Sequence, residues 1–585
     1  MILEKLDRLS DWIFRRVSKA SASCGGRDLM EGERVEVKSP SRIYRWVLRW
    51  QEHGLVFRWK RFLFHGFLNS RVSDVGVLLV LWGAVELAWY GFALHTFHFV
   101  SLGRILAASV LLHEPQSCGR CIQRSRMLRG FLFSFCGLSE AAFASHRKTR
   151  TPSVIWLLMG GIMGILGCLT SPIAVTVGVS ASLPLILAFS VPELAFLTAL
   201  LFFPFFNLLS HPTWWLFCTV LLCGLACLGK TISGKRQLEW GHTDRLVLLL
   251  GFLYAMSGIV SFGRLSDGLL RCFLLLTGWF LTRLLLASPQ WRQRAVECLT
   301  LSSTISAILG ILQYVLGKAP LGWVDTARFG DIGGRVCGTF GNPNLFAIFL
   351  LFTGTLPLAG SFEGKSAAER WRSFFSFVLG GVCLLLTWSR GAWLGWLAAV
   401  LLFLSVCSRR SLSVLMVGSA LAVGAIPFLP NTVLRRFQSI GNFADTSANY
   451  RLNTWRGVGR MIRAHPWGIG CGEEAFRRVF PTYAVSGTER VMHPHQVFLE
   501  AITELGVVGF FVFLLILWRL AVCFFDFCKS ARQGRRRAEG ISLFCALLGG
   551  IIMGLFDSLW YHNGLFWLFW IVCAMCENSK RRENA

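Results

Sequence analysis

The sequence predicts an all-α polytopic membrane protein with about 12–16 transmembrane helices and one large, partly helical extracytoplasmic loop. Three observations predict it. Of 585 residues, 54% are hydrophobic, against roughly 45–50% in soluble domains, and the mean hydropathy is +0.54. The apolar residues come in blocks close to the length a helix needs to cross a bilayer, about 17–25 residues. The basic residues, which set the net charge at +27, lie mostly between those blocks, where topology determinants belong. No basic motif with base-readout spacing accompanies them, so nucleic acid is not an expected partner.

Taken in order, residues 1–70 form a basic, Trp-rich arm. Leu6, Leu9, Ile13 and Val17 share one helical face, and a second such stretch starts at Ile43. Both read as interfacial helices on anionic membrane lipids of the inner leaflet. An N-terminal bundle over 71–300 follows, with apolar spans near 74–96, 98–114, 153–170, 172–190, 192–209, 213–229, 246–262, 267–287 and 296–316. The stretch 98–114 is short enough to lie in the interface instead. A second membrane domain over 301–577 holds spans near 344–360, 373–388, 391–407, 411–430, 496–522, 541–559 and 562–577, and residues 578–585 form a cytoplasmic tail. Short loops rich in Lys and Arg, among them 230–245, 291–294, 365–372 and 529–537, place one side in the cytoplasm. Alternation then puts 317–343, the turn at Ser389-Arg390 and the loop 431–495 together on the outer side. The 19 cysteines are scattered; the pairs Cys118/Cys121 and Cys573/Cys576 read as ordinary apolar positions rather than a zinc site.

The segment from Asp445 to Gly509 is too rich in Arg, His, Gly and Pro to lie in lipid, where its backbone groups would go unsatisfied. Three outer segments carry candidate chemistry. In GGRVCGTFGNPNLFA, residues 333–347, Arg335 precedes a glycine and Asn-Pro turn, and Asn344 is placed to cap the helix beginning there. In LTWSRGAWLG, residues 386–395, Arg390 sits in a tight turn with no acid beside it in sequence. Arginine at membrane depth needs a partner, and an anion such as phosphate suits a guanidinium fork. In the long loop, Arg451 begins a helix whose Trp455 and Met461 are expected to face the membrane. His495 lies at the start of the helix beginning near Gln496, where the positive helix end disfavours an imidazolium and suits a general base. His493 and His495 by themselves make an incomplete metal site, so no metal is expected.

At these residues the sequence resembles the bacterial O-antigen ligase and O-antigen polymerase superfamily, over roughly 300–577. The resemblance rests on five runs in order: R-x-x-GTFGNPN-x-x-A from Arg335, T-x-SRGA-x-x-G from Thr387, D-x-S-x-x-x-R ending at Arg451, H-P-x-G-x-G from His465, and PH-x-x-x-L-x-x-x-x-E-x-G from Pro494. It implies a membrane glycosyltransferase of the plasma membrane that moves a glycan from a polyprenyl-diphosphate-linked donor to an acceptor hydroxyl at the outer face, with no metal and no cofactor. It also implies that Arg335 and Arg390 hold the diphosphate, with Arg451 assisting, and that His495 activates the acceptor. Asn342, Asn344, Ser389 and Gln496 are expected to support them, and Glu504 and Asp557 to pair with the arginines. The family has Asn where this chain has Gln496, and the arm over 1–70 is outside the family pattern. Polymerase and protein O-oligosaccharyltransferase readings fit the same motifs. A small-solute or bicarbonate transporter is the rival, with the intramembrane Glu86 marking a path.

Overall fold

The computed structural model describes residues 69–579 apart from 94–98, 115, 126–152, 170–171, 173–174, 176–191, 210, 233–239, 261–263, 321–333, 426–433, 435–445 and 532–533. The basic arm, save its last two residues, most of the apolar span 172–190, and Asp445 lie outside the described residues. Described elements are helical. The β-type pairing among them is one isolated bridge, Arg71 with Ser117.

The chain divides into two compact units: Met1–Leu194 with Leu228–Gln237, and Ala195–Cys227 with Leu238–Ala585. In the first lie α1 (Val72–Ala88), α2 (Phe99–Leu112), α3 (Cys118–Arg124) and α4 (Ser153–Leu169). Helix α1 packs on α2 and α4. Over its 14 described residues, α2 is about 21 Å long. Glu86 is fully buried. Its carboxylate accepts from Trp82 Nε1 at 2.7 Å and Ser101 Oγ at 2.6 Å and pairs with Arg104, whose guanidinium lies 4.1 Å over the Trp82 ring.

The chain continues through α5 (Pro192–Phe202) and a 3-10 turn (Phe203–Leu208) to α6 (Pro212–Ile232), α7 (His242–Val260), α8 (Leu265–Leu285) and α9 (Pro289–Val315). Then follow α10 (Pro343–Gly354), α11 (Pro357–Glu363), α12 (Ala367–Leu386), α13 (Arg390–Val406) and α14 (Arg409–Ala425). The long loop supplies α15 (Thr446–Ala464) and α16 (Glu473–Val479), before α17 (Val497–Ser530), α18 (Arg535–Gly554) and α19 (Asn563–Ser579). Among the described residues, six helical segments are long and apolar enough to cross a membrane: Val72–Phe92, Leu265–Leu285, Pro289–Val315, Pro343–Glu363, Val497–Ser530 and Arg535–Gly554. Several others are apolar but shorter, and the molecule is a multi-pass membrane protein.

Helix α19 is the axis of the second unit. From Leu565 to Cys576 every side chain is fully buried, as expected for a helix apolar on all faces, and α8, α10, α17 and α18 surround it. Helix α13 crosses α18 closely enough that a Cβ at Gly395 would lie 2.4 Å from the Gly549 carbonyl oxygen, so a small residue is required there. The 27-residue α9 separates two polar clusters. Near its start, Glu297 meets Arg535 at 3.1 Å, and Arg535 also binds Glu539 at 2.7 Å and Glu369. Near its end, the Gln313 carboxamide accepts from the backbones of Cys337 and Gly338 at 3.2 and 3.1 Å. Glu297, Glu369 and Arg535, beside or within the basic loops 291–294, 365–372 and 529–537, thus meet near the start of α9, and Gln313 meets the Arg335 turn near its end.

Candidate active site

Asp557 is the hub. The sequence reading carried an apolar span across it to residue 559; in the structure α18 ends at Gly554 and Asp557 stands on the turn before α19. The physical reason is the polar run Asp557, Ser558, Tyr561, His562 and Asn563, which gives a turn more hydrogen-bond partners than a helix would. Asp557 Oδ1 accepts from His495 Nδ1 at 3.0 Å and from the Ser558 backbone N–H at 2.9 Å. Oδ2 accepts from Asn344 Nδ2 at 2.6 Å and faces Arg451 at 3.8 Å. Burial pushes the carboxyl up, but the hydrogen bond from His495 and the positive charge of Arg451 outweigh it and hold Asp557 well below the usual carboxylate range.

Each partner arrives on a segment fixed by its own local sequence. The Arg335 turn is clamped to the end of α12: Val336 N–H donates to the Leu386 carbonyl at 3.1 Å, and Arg335 Nε to the Thr387 carbonyl at 2.8 Å. Arg335 Nη2 then donates to Asn344 Oδ1 at 2.9 Å, so Asn344 joins Arg335 to Asp557. Asn344 is not the helix cap. Pro343 lacks an N–H and takes the first helical position, so Asn342 caps, accepting from the backbones of Asn344 and Leu345 at 2.8 and 3.4 Å. That frees the Asn344 carboxamide to bridge.

Ser389 is buried and precedes Arg390, the first residue of α13. The half-buried Arg390 enters beside the Asp557 turn, because a Cβ at its neighbour Gly391 would lie 3.1 Å from Phe556 Cβ. Trp388, just before, has φ of 54°, and His495 has φ of 55°. Such backbone is costly for a residue with a side chain, about 1–3 kcal/mol each. Two of the three described non-glycine residues in this region therefore flank the candidate site.

His495 is held from several sides. Trp455 Nε1 donates to the Pro494 carbonyl at 3.0 Å, and the His493 ring lies 4.1 Å from the His495 ring, centroid to centroid. With Nδ1 donating to a carboxylate, Nε2 is the ring nitrogen left to accept a proton. Gln496 caps α17, its Oε1 accepting from Leu499 N–H at 2.9 Å; Asp557, rather than Gln496, orients the imidazole. Burial, with the neighbouring His495 ring and the positive charge of Arg451, brings His493 down to about 3.

Two expectations fail here. Met461 is buried, with Val458, Ile469, Phe476, Val479, Phe480 and Val491, in a small core belonging to the loop itself; the membrane is not what α15 presents it to. Glu504 does not meet Arg335, Arg390 or Arg451. Its Oε1 accepts from Gly472 N–H at 3.2 Å, on the far side of α17's first turns, in the field of Arg271. The rim of that region, with buried Arg271 and Glu500, was missed in the sequence. An arginine two turns into an apolar helix was the available signal.

The H-P-x-G-x-G and E-x-G runs interlock. Helix α17 breaks at Gly506, where φ is 69°. Val507 N–H donates to the Pro466 carbonyl at 2.9 Å, and Ile469 N–H to the Thr503 carbonyl at 2.8 Å. A Cβ at Gly468 would lie 2.7 Å from Gly506 N. Only glycine fits both positions.

Among the described residues, His493, His495 and Asp557 form the one group of three metal-ligating side chains, their ligand atoms all within 4.8 Å of one another. Asp557 already accepts from His495, Asn344 and Ser558, so the group is complete as a hydrogen-bonded hub.

Residues 375–514 match the protein family described as O-antigen ligase. Arg390, Arg451, His495, Gln496 and Glu504 fall within the matched segment; Arg335, Asn342, Asn344 and Asp557 flank it. No curated protein matches the chain. The matched segment lies within residues 300–577, over which the five sequence runs resemble the same family, in a multi-pass membrane protein.

Proposed function

We propose that this protein is a metal-independent glycosyltransferase that moves a glycan from a polyprenyl-diphosphate-linked donor to an acceptor hydroxyl at the outer face of the bacterial plasma membrane. The observation that carries the reading is the His495–Asp557 hydrogen bond at 3.0 Å, set beside Arg451 and, through Asn344, Arg335. Asp557 fixes the imidazole with Nε2 free. As the acceptor oxygen attacks the anomeric carbon, Nε2 takes its proton, and the bond from that carbon to the diphosphate breaks. The departing diphosphate keeps the electron pair, and Arg335, Arg390 and Arg451 stabilise its charge. A base of this kind contributes about 10²–10⁴-fold.

The transporter reading loses its main support. Glu86 is fully buried and committed to Arg104, Ser101 and Trp82, a satisfied structural cluster. Reconstituting the purified protein with a polyprenyl-diphosphate-linked glycan and a glycolipid acceptor, in the presence of EDTA, tests the proposal. We expect glycosylated acceptor and released polyprenyl diphosphate. Solute flux with no transferred glycan would overturn it.

A further inference from the structure

Arg519 is an arginine that the transfer site leaves unexplained. It follows residues 507–518, a stretch of α17 with no charged side chain, and a cation in such a helix is costly unless something meets it. Its Nε is buried with no hydrogen-bond partner. Roughly 30 Å of helix separate it from Val497, the first residue of α17, so it is remote from His495.

Arg519 lines a groove of about 520 Å³ with His242, Arg245, Leu246 and Leu249 of α7. That volume is within the usual range for small-molecule sites, roughly 300–1,000 Å³. Helices α7 and α17 pack together and run antiparallel, because Tyr254, late in α7, hydrogen-bonds Glu504, early in α17. The groove is therefore at the other end of the pair, on the side of a basic loop. Asp244 meets Arg283 at 3.1 Å, Arg283 donates to the Asn578 carboxamide at 2.7 Å, and Arg292, in the loop 291–294, donates to the Asn578 carbonyl at 3.0 Å.

Charge and polarity are layered along both helices. Arg245 and Leu249 are one turn apart on one face of α7, and Arg519 and Leu515 are one turn apart on one face of α17. In each pair the cation is nearer the basic loop and the leucine nearer the middle of the helix. Beyond these cations both helices present apolar side chains outward: Leu248, Leu249 and Phe252 on α7, and Phe511, Leu515 and Trp518 on α17, are exposed. In a multi-pass membrane protein such faces meet acyl chains.

The cations are available to a ligand. Among the described residues, His242, Arg245 and Arg519 have no hydrogen-bond or ion-pair partner, and no carboxylate lines the groove. Asp244, next to Arg245 in sequence, is taken by Arg283, by Trp279 Nε1 at 2.7 Å and by Gly241 N–H at 2.7 Å. Glu577 accepts from Thr243 Oγ1 at 3.4 Å, and Asp526 is about two turns beyond Arg519; neither is in the lining. The start of α7 at His242 adds the positive end of a helix dipole. A phosphate suits two guanidinium forks, whereas the ammonium of a zwitterionic headgroup meets repulsion.

We infer that this groove is a binding site for an anionic phospholipid of the leaflet beside the basic loops. Arg245, Arg519 and His242 hold its phosphate, and its acyl chains run along Leu249 and Leu515. Basic pockets between membrane helices recognise anionic headgroups in this way. The glycan-transfer reading is not needed for this site.

Photo-crosslinking of the full-length protein in phosphatidylcholine nanodiscs tests the inference, with phosphatidylglycerol carrying a diazirine on its acyl chain as the probe. We expect labelled peptides containing Leu249 or Leu515, and about fivefold less label there from a phosphatidylcholine probe at the same dose. Unlabelled phosphatidylglycerol displaces the probe; inorganic phosphate and undecaprenyl diphosphate at the same concentration do not. Arg519→Gln and Arg245→Gln each lower labelling about fivefold, while Arg519→Lys, which retains the charge, keeps most of it. Arg245 is exposed, so Arg245→Gln keeps the test open if Arg519→Gln does not fold. Equal labelling by the phosphatidylcholine probe, or undiminished labelling in the folded Gln variants, overturns the proposal. So does displacement by inorganic phosphate, which marks a free-anion site, or displacement by undecaprenyl diphosphate as strong as that by phosphatidylglycerol, which marks a polyprenyl site.

Discussion

The site hangs on one buried carboxylate that ties a histidine to two arginine-bearing segments. Asp557→Asn keeps the shape but offers an amide where His495 Nδ1 needs an acceptor, which favours the wrong tautomer. Transfer should fall roughly a hundredfold or more in a steady-state assay, with donor KM little changed. His493 gives a pH prediction. In the unfolded chain it titrates near 6.5, and in the fold it is held down to about 3; His562, lowered by burial and by Arg271, follows at about 4. Between those values the unfolded chain binds protons that the folded chain refuses, so stability is full above 6.5 and is lost as pH falls toward 3. Thermal unfolding across pH 7 to 4 should show Tm falling with pH, and His493→Gln should flatten that fall. Much of this was legible: Arg335, Arg390, Arg451 and His495 are polar residues that an apolar chain has to place somewhere wet. The partnership of Asp557 with His495, 62 positions apart, was not, because sequence spacing says nothing about which turn meets which.

At the scale of elements, periodicity found the helices but not their ends. Pro343 moved a cap from Asn344 to Asn342, and that two-residue shift turned Asn344 into a bridge. Met461 was read as membrane-facing because its helix is amphipathic, yet the loop brings its own apolar partners, Ile469, Phe476 and Phe480. Amphipathicity names a buried face without naming what buries it. The glycine runs were legible as motifs, but their reason is tertiary: Gly468 and Gly506 pack backbone on backbone. Gly506→Ala puts a Cβ 2.4 Å from the Trp467 carbonyl carbon at a φ of 69°. We expect a loss of more than about 1 kcal/mol, read as a lowered Tm, with a matching loss of transfer because the loop no longer seats His495.

On the scale of the whole molecule, the ten residues expected from the sequence to build the glycan-transfer site lie in the second compact unit, whereas Glu86 lies in the first. Along α9, Glu297 belongs to the basic end and Gln313 to the site end, 16 residues or roughly 24 Å of helix apart. Loop charge assigned 291–294, 365–372 and 529–537 to one group, since Lys and Arg are expensive to carry across a bilayer, and Glu297, Glu369 and Arg535 of that group meet. Helix lengths were less legible, because apolar windows run on through turns such as 555–562. The central claim is that the cluster around Asp557 performs glycan transfer with His495 as its base, and single-turnover transfer by His495→Ala with a radiolabelled polyprenyl-diphosphate-linked donor tests it most directly. The account predicts transfer reduced by about 10²–10⁴-fold while the variant still inserts and binds the labelled donor; transfer at the wild-type rate would contradict it.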